Sequence, residues 1–423
     1  MAMMSIRRAV RVFPLEEVTT ISPREEAPQA AGLEKADIDA IWNSVTRYYR
    51  FGVQPAMALC IRRGGKVILD RAIGHASGNG PDDAPDTPLR LATPDTLYNL
   101  FSGSKALVAM LIHHLDDQGL LHLDDAVREY IPEFTGGGKE DVTIRHLLAH
   151  RAGFPATEGA PDLNVLSDPK RVRELYSGMK LWYRPGSRVA YHAISSGFVL
   201  ADIMEVVTGK KINELMADVV REPLGLSSLT WGVRPDQIGD VAQDAFTGFR
   251  QPMFMNYAFR RALGGTLQEI VDLSRDPRFL TGVVPSGNCY ATPNDACAYF
   301  EMLLRGGELN GVRVFDRRSV RRATRETSFG EFDKILGAQV PYGLGFMLGA
   351  RYFSIYGWNS TMAFGHLGLS NCIVWADPER DISAAFLATG KPAVTPEATA
   401  WVAISQTIAS RIPRSFPGRR AGE

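Results

Sequence analysis

Tyr98-Asn99-Leu100-Phe101-Ser102-Gly103-Ser104-Lys105 sets a Ser-x-x-Lys tetrad where an extended segment runs into a helix. Helical spacing puts Ser102 and Lys105 on one face, a turn apart. From there the amine can take the hydroxyl proton, which matters because a serine hydroxyl is a weak nucleophile near neutral pH. A lysine serves as that base only when burial or a nearby cation lowers its pKa. The first turn also offers free backbone N–H groups and a dipole that favour developing negative charge. With two fixed positions the tetrad recurs by chance, and a polar helix start with a solvated lysine is the competing reading. The rest of the chain has to decide.

The chain has 423 residues, enough for one large domain or two intimate ones with a sizeable core. Its 47 Lys and Arg balance 47 Asp and Glu. That leaves no electrostatic footprint for nucleic acid or an anionic membrane. Cys60, Cys289, Cys297 and Cys372 are scattered without a CxxC pair. They read as buried thiols in a reducing compartment, not as a disulfide frame or zinc site. Met1 to Arg8 begins like a secretory n-region, but the following Ala9 to Glu17 is too short and charged for an h-region. No later stretch is apolar for long enough to span a bilayer. The expectation is a cytoplasmic protein with no membrane span.

Residues 1–32 lack periodicity and read as an arm wrapping the surface. Leu33 to Arg50 carries Ile38, Ile41, Trp42, Val45, Tyr48 and Tyr49 at helical spacing. Two apolar runs, 56–62 and 66–72, flank Arg63-Gly64-Gly65 and predict a β-hairpin. The helix opened by Ser102 continues through Leu107, Met110, Leu111 and Leu115 to a stop at Gly119. Helical patterns dominate 120–270, among them 144–149, 169–178, 195–208 and 212–222. A helix at 294–305, strand-like pieces at 343–350, 361–365, 371–376 and 382–388, and a helix at 395–411 complete the chain. Strands at both ends with helices between them predict an α/β domain closed by the two termini. The expected division is an arm at 1–32, an α/β domain of 33–115 plus 275–423, and a mainly helical domain at 116–274, with the site between the last two.

Tyr191 follows the Pro185-Gly186 turn in Trp182-Tyr183-Arg184-Pro185-Gly186-Ser187-Arg188-Val189-Ala190-Tyr191-His192-Ala193. Rigid loops of this kind often carry catalytic groups. A phenol beside a lysine ammonium can be drawn toward phenolate and accept a proton; alternatively the ring packs beneath the turn. In Gly365-His366-Leu367-Gly368-Leu369, Gly368 lets backbone approach closely. The N–H after it can join that of Ser102 at an oxyanion, or the segment is a simple bulge. His146 and His150 have zinc-ligand spacing, but a Leu occupies the position where the zincin pattern needs Glu. Asp124-Asp125 lacks the spacing and glycine of an EF-hand.

Taken in order, these pieces resemble the serine β-lactamase and penicillin-binding-protein superfamily, in particular its class C-like esterase branch, the family VIII carboxylesterases. The resemblance covers about residues 35 to 410. Besides Ser102-x-x-Lys105 it rests on Leu120 to Val127, Tyr130-Ile131-Pro132-Glu133 and Val142 to Pro155, which is similar to the family's Ile-Arg-x-Leu-Leu-x-His-x-Ser-Gly segment. Tyr290 to Asp295, Leu303 to Arg313, the Gly365-His366-Leu367-Gly368 segment and Trp375 to Asp381 extend it.

The resemblance implies an α/β (α+β) fold, an antiparallel sheet flanked by helices with an inserted, mostly helical domain. It implies Ser102 as the acylated nucleophile, Lys105 as its proton acceptor and Tyr191 as the residue that shares base duty. Backbone N–H groups of Ser102 and Leu369 would form the oxyanion hole, and no metal or organic cofactor is implied. Two departures stand out. Ala193 replaces the Asn of a Tyr-x-Asn motif, and His366 replaces the Lys of Lys-Thr-Gly. Losing that amide and a permanent cation favours neutral esters over antibiotics. His192 reads as a spacer pointing away from the site or as a pocket wall. His366, Gly368, Phe101, Trp182, Tyr183, Phe254 and Tyr257 are the expected substrate-binding residues. The implied activity is a serine hydrolase for short- to medium-chain carboxylic esters. The alternatives are a β-lactamase or D-amino-acid peptidase, an acyltransferase, and a non-catalytic relative used for binding or assembly. The sequence sets no oligomeric state.

Overall fold

Strand Ala56–Arg63 divides the core in two. Ala56, Ala58 and Cys60 point to one face and Met57, Leu59 and Ile61 to the other, the period of two expected of a strand, here buried on both sides. The computed structural model describes residues 7–155, 162–392 and 396–415. Its central sheet is antiparallel and comprises β1 (Thr19–Ile21), β2 (Ala56–Arg63), β3 (Lys66–Ser77), β4 (Met347–Leu348), β5 (Phe364–Leu367), β6 (Ile373–Asp377) and β7 (Ile382–Ala388). The spatial order is β4-β5-β6-β7-β2-β3-β1, with the short strand Arg90–Leu91 paired to β3. The N-terminal and C-terminal halves of the sheet thus join at the β7–β2 pairing, where Ala385 lies opposite Cys60.

Helix α1 (Lys35–Tyr49) starts at a capping box in which Asp37 accepts the Glu34 N–H at 3.1 Å. Its apolar face, Ile38, Ile41, Trp42, Val45 and Tyr49, packs on the Met57 face of the sheet, joined by Trp401, Ile404 and Ile408 of the terminal helix Pro396–Arg411. On the opposite face the sheet carries small residues. There α2 (Ser104–Asp117), buried almost all round, joins α3 (Pro293–Leu304) in the larger core. Between α2 and α3 the chain is largely helical, with helices at Ile144–Leu148, Pro169–Gly178, Ser195–Thr208, Met253–Leu263, Leu267–Ser274 and Pro277–Thr281. No helix among the described residues is long and apolar enough to cross a membrane.

Three expectations change. The N-terminal segment is not only a surface arm: Thr19–Ile21 adds an edge strand along β3, and Arg24 behind it pairs with the buried Asp70 at 2.9 Å. The piece expected at 361–365 begins three residues later, so His366 sits within β5 instead of between strands. The piece expected at 343–350 shortens to Met347–Leu348. Gly345, at φ +95°, bends against α2, where an added Cβ would stand 2.1 Å from the Ala109 Cβ.

Candidate active site

The nucleophile turn is built by local hydrogen bonds. Asn99 Oδ1 accepts the Phe101 N–H at 2.8 Å, and the Ser104 hydroxyl donates to the Phe101 carbonyl at 2.5 Å. Ser104 Oγ in turn accepts the Cys289 N–H at 3.0 Å, and Cys289 O accepts the Leu100 N–H at 2.8 Å. This clamp holds Phe101 at φ +47°, a left-handed conformation that a bulky residue adopts only when its surroundings impose it. Ser102 follows, half-buried, in a single 3-10 turn that leads into α2.

Lys105, one turn on, is 6 % exposed. Its Nζ lies 3.1 Å from Ser102 Oγ, 2.7 Å from the Ala193 carbonyl and 3.1 Å from the Ser286 carbonyl. Burial pushes its pKa down to about 7. A neutral amine has two N–H donors and one lone pair. With both carbonyls taking the donors, the lone pair is left facing the Ser102 hydroxyl. The geometry therefore suits proton removal from Ser102.

Tyr191 lies over the same pair. Lys105 Nζ stands 4.9 Å from its ring centroid, and the Ser102 hydroxyl is near enough to act on its phenol. The expected drift toward phenolate does not occur. Burial is the largest influence and pushes the phenol pKa up, the neighbouring Ser102 hydroxyl opposes it, and Asp333 adds a further upward push. Tyr191 thus keeps its phenolic proton beside Ser102. Its segment is threaded between two others: Ala190 N–H donates to the His150 carbonyl at 3.0 Å and Tyr191 N–H to Asp333 Oδ1 at 3.2 Å.

Asp333 was not anticipated from the sequence. Fully buried, its carboxylate also accepts the Ile335 and Leu336 N–H groups at 2.8 and 2.9 Å and the Tyr342 hydroxyl at 2.8 Å. It anchors the strand of chain that presents Tyr191. No motif marks it; an Asp between Phe332 and Lys334 reads as any loop carboxylate.

On the far side of Ser102, β5 delivers His366, Leu367 and then Gly368. An added Cβ on Gly368 would stand 2.4 Å from the Leu100 carbonyl. The glycine thus allows close approach to the nucleophile turn itself, not only to a ligand. No backbone acceptor engages the N–H of Leu369 or of Ser102 among the described residues, and Gly368 brings the two segments together. His366 has no exposed surface. Its Nδ1 lies 2.8 Å from the Leu367 carbonyl and its buried Nε2 has no partner among the described residues. Burial, with Lys105 nearby, pushes its pKa down to about 3, so the ring is neutral. No cation stands where the resembling motif has lysine.

The remaining candidates divide. Phe101 is 6 % exposed, and its ring turns inward under Lys391 Nζ, 4.8 Å from the centroid, instead of lining an open pocket. Trp182 is partly exposed and covered by the Arg261 guanidinium at 4.7 Å. Tyr183 is half-buried, and its hydroxyl has no partner among the described residues. Phe254 and Tyr257 project from Met253–Leu263 with 72 % and 67 % exposure. The inner face of that helix does reach the site: Leu263 packs in the cluster of Tyr191 and Phe259 in the cluster that Leu369 borders. His192 is fully buried behind Tyr191, with Nε2 accepting the Phe154 N–H at 3.3 Å, and forms no wall. His146 caps its own helix through Thr143, and His150 lies past the helix end at φ +56°, so the pair does not share a helix face.

The chain is similar to known proteins over most of its length. The family model described as Beta-lactamase matches residues 45–408. The "Esterase/beta-lactamase LipL" of Mycobacterium tuberculosis is 27 % identical over 346 residues, covering 78 % of this chain and 76 % of that protein. A crystal structure of a family VIII carboxylesterase superposes with a TM-score of 0.74 at 22 % identity, over 88 % of this chain and 98 % of the other. A penicillin-binding-protein homologue from Caulobacter crescentus gives 0.73 at 23 % identity, over 90 % and 99 %. Both structures share the mixed fold of helices and antiparallel sheet described above.

Proposed function

The chain belongs to the Beta-lactamase family, and from that premise we propose that it is a serine hydrolase cleaving neutral carboxylic esters through an acyl-enzyme on Ser102, close in kind to the family VIII carboxylesterases. The observation that carries the reading is the buried Lys105 amine, its donors committed to Ala193 and Ser286 and its lone pair directed at Ser102 Oγ, 3.1 Å away. In this reading Lys105 takes the Ser102 proton as Oγ attacks the ester carbonyl. The tetrahedral oxyanion is held by the N–H groups of Ser102 and Leu369, an arrangement whose donors need no reorganisation during reaction. The C–O bond to the alcohol then breaks, and the proton on Lys105 passes through the Tyr191 hydroxyl to the leaving oxygen. Water repeats the sequence in reverse order, releasing the acid and restoring Ser102.

Preference for neutral esters is supported by two departures: Ala193 offers no side-chain amide, and His366 is buried and neutral. A second reading, β-lactam hydrolysis, is favoured by the double description of LipL, and nitrocefin turnover distinguishes it. We place the site between an α/β unit of residues 33–115 with 275–423 and a helical unit of 116–274, because Ser102 and His366 come from the former and Tyr191 from the latter. The four cysteines are buried and unbridged, which suits the reducing cytoplasm proposed as its compartment. The test is Ser102→Ala: hydrolysis of p-nitrophenyl butyrate is lost while the protein stays folded, and retained turnover overturns the assignment.

A further inference from the structure

Lys391 lies just beyond β7 and has no exposed surface. Its ammonium donates to the Ala388 carbonyl at 2.5 Å and stands 3.2 Å from Cys372 Sγ, 3.3 Å from Asp244 Oδ1 and 3.4 Å from Asn371 Oδ1. It also stands 4.8 Å from the Phe101 ring centroid. These partners come from both sides of the acylation centre. Phe101 directly precedes Ser102 and carries the left-handed φ of +47°. Asn371 and Cys372 close the loop that bears Leu369: Gly368 N–H donates to the Cys372 carbonyl at 2.6 Å and Asn371 N–H to the Leu369 carbonyl at 2.9 Å. The segment around Lys391 ties the same loop again, since Asn371 Nδ2 donates to the Gly390 carbonyl at 2.8 Å and Ser370 Oγ to the Pro392 carbonyl at 2.7 Å.

A buried ammonium is costly to desolvate, and an apolar side chain of similar length would fill this volume at less cost. A buried cation facing an aromatic ring, by contrast, gains a directional attraction that strengthens when the pair is desolvated. We propose that Lys391 is a positioning residue for acyl transfer. Its ammonium braces the Phe101 ring against the 368–372 loop and thereby sets the spacing of the Ser102 and Leu369 N–H groups. The inference rests on the reading of Ser102 as nucleophile. It goes beyond that reading by assigning a role to a charge that touches neither the substrate nor the reacting atoms.

The test removes the cation together with its carboxylate, so that no uncompensated charge stays buried: Lys391→Met with Asp244→Asn. Three quantities are read on folded protein. They are kcat and KM for p-nitrophenyl butyrate, the rate of fluorophosphonate labelling at Ser102, and the affinity for a phenylboronic acid, which forms a tetrahedral adduct on the serine. Displacement of a positioned group by about 1 Å costs about 100-fold. The expected result is therefore a 10- to 100-fold fall in kcat, in labelling rate and in boronate affinity, with KM within twofold. Unchanged kcat and boronate affinity overturn the proposal, as does a loss spread over KM and thermal stability with no selective fall in kcat. Phe101→Leu keeps the apolar volume but removes the ring face. It should show the same kcat-selective loss, and it decides the matter if the double variant does not fold. Wild-type protein that labels somewhere other than Ser102 overturns the nucleophile reading instead, so the two failures are distinct.

Discussion

Gly368→Ala isolates the contact on which the oxyanion hole depends. Gly368 does not lie in the left-handed region, so alanine adds bulk without backbone strain. The new Cβ would fall 2.4 Å from the Leu100 carbonyl oxygen and 3.1 Å from the Cys372 Cβ. Restoring an ordinary carbon–oxygen separation of about 3.4 Å requires the loop and the nucleophile turn to part by about 1 Å. The backbone cannot yield as a side-chain tip would, because Phe101 is clamped by Asn99 and Ser104, and Gly368 by Cys372. A displacement of that size, or the loss of one oxyanion donor, costs about 100-fold in kcat. That equals about 2.7 kcal/mol at about 1.36 kcal/mol per factor of ten. Steady-state hydrolysis of p-nitrophenyl butyrate reads kcat and KM, and circular dichroism checks that the protein is folded. KM should hardly move, because the lost donor acts on the oxyanion and not on the ground-state ester. A folded variant with kcat within threefold of wild type would refute the reasoning, since the two segments would then not need their present spacing.

The pH profile is a second check. Lys105 titrates near 7 and acts as its neutral form, so kcat/KM should rise with pH through about 7 and then level off. A profile flat between pH 5 and 9 contradicts a lysine base, and Lys105→Arg should be inactive throughout because a guanidinium does not deprotonate in this range. Asp333→Ala strips the acceptor from three backbone N–H groups and the Tyr342 hydroxyl. Denaturant unfolding should show a loss of at least about 4 kcal/mol, at about 1–3 kcal/mol for each of the four orphaned groups. Activity should also fall, because Tyr191 loses its anchor, whereas Asp333→Asn, which keeps an acceptor oxygen, should lose less of both.

What the sequence makes legible here is local. The Ser102–Lys105 spacing, the apolar stripe of α1 and the hairpin around Gly64-Gly65 each follow from neighbours a few residues apart, and all are present in the structure. What it hides is set by distant partners. Thr19–Ile21 is a strand only because β3 offers an edge, and Asp333 matters only because the chain near Tyr191 passes beside it. A lysine after an apolar strand reads as a solvated end, yet Lys391 is buried between Asp244 and Phe101. Phe101, Phe254 and Tyr257 are all expected to line a pocket, the last two by position alone. Side-chain direction is decided by packing, which turned the first inward and left the others at the surface. The expected phenolate failed for a related reason: desolvation of Tyr191 outweighs its neighbours, and Lys105 itself is held near neutrality.

Hydrolysis by the proposed route passes through a covalent acyl group on Ser102. Mixing the protein with a p-nitrophenyl ester, quenching in acid within the first turnover and mapping peptides by mass tests it directly. The account predicts one acyl increment on the peptide containing Ser102, absent from Ser102→Ala. An unmodified Ser102 during active turnover, or an acyl group on another residue, would contradict it.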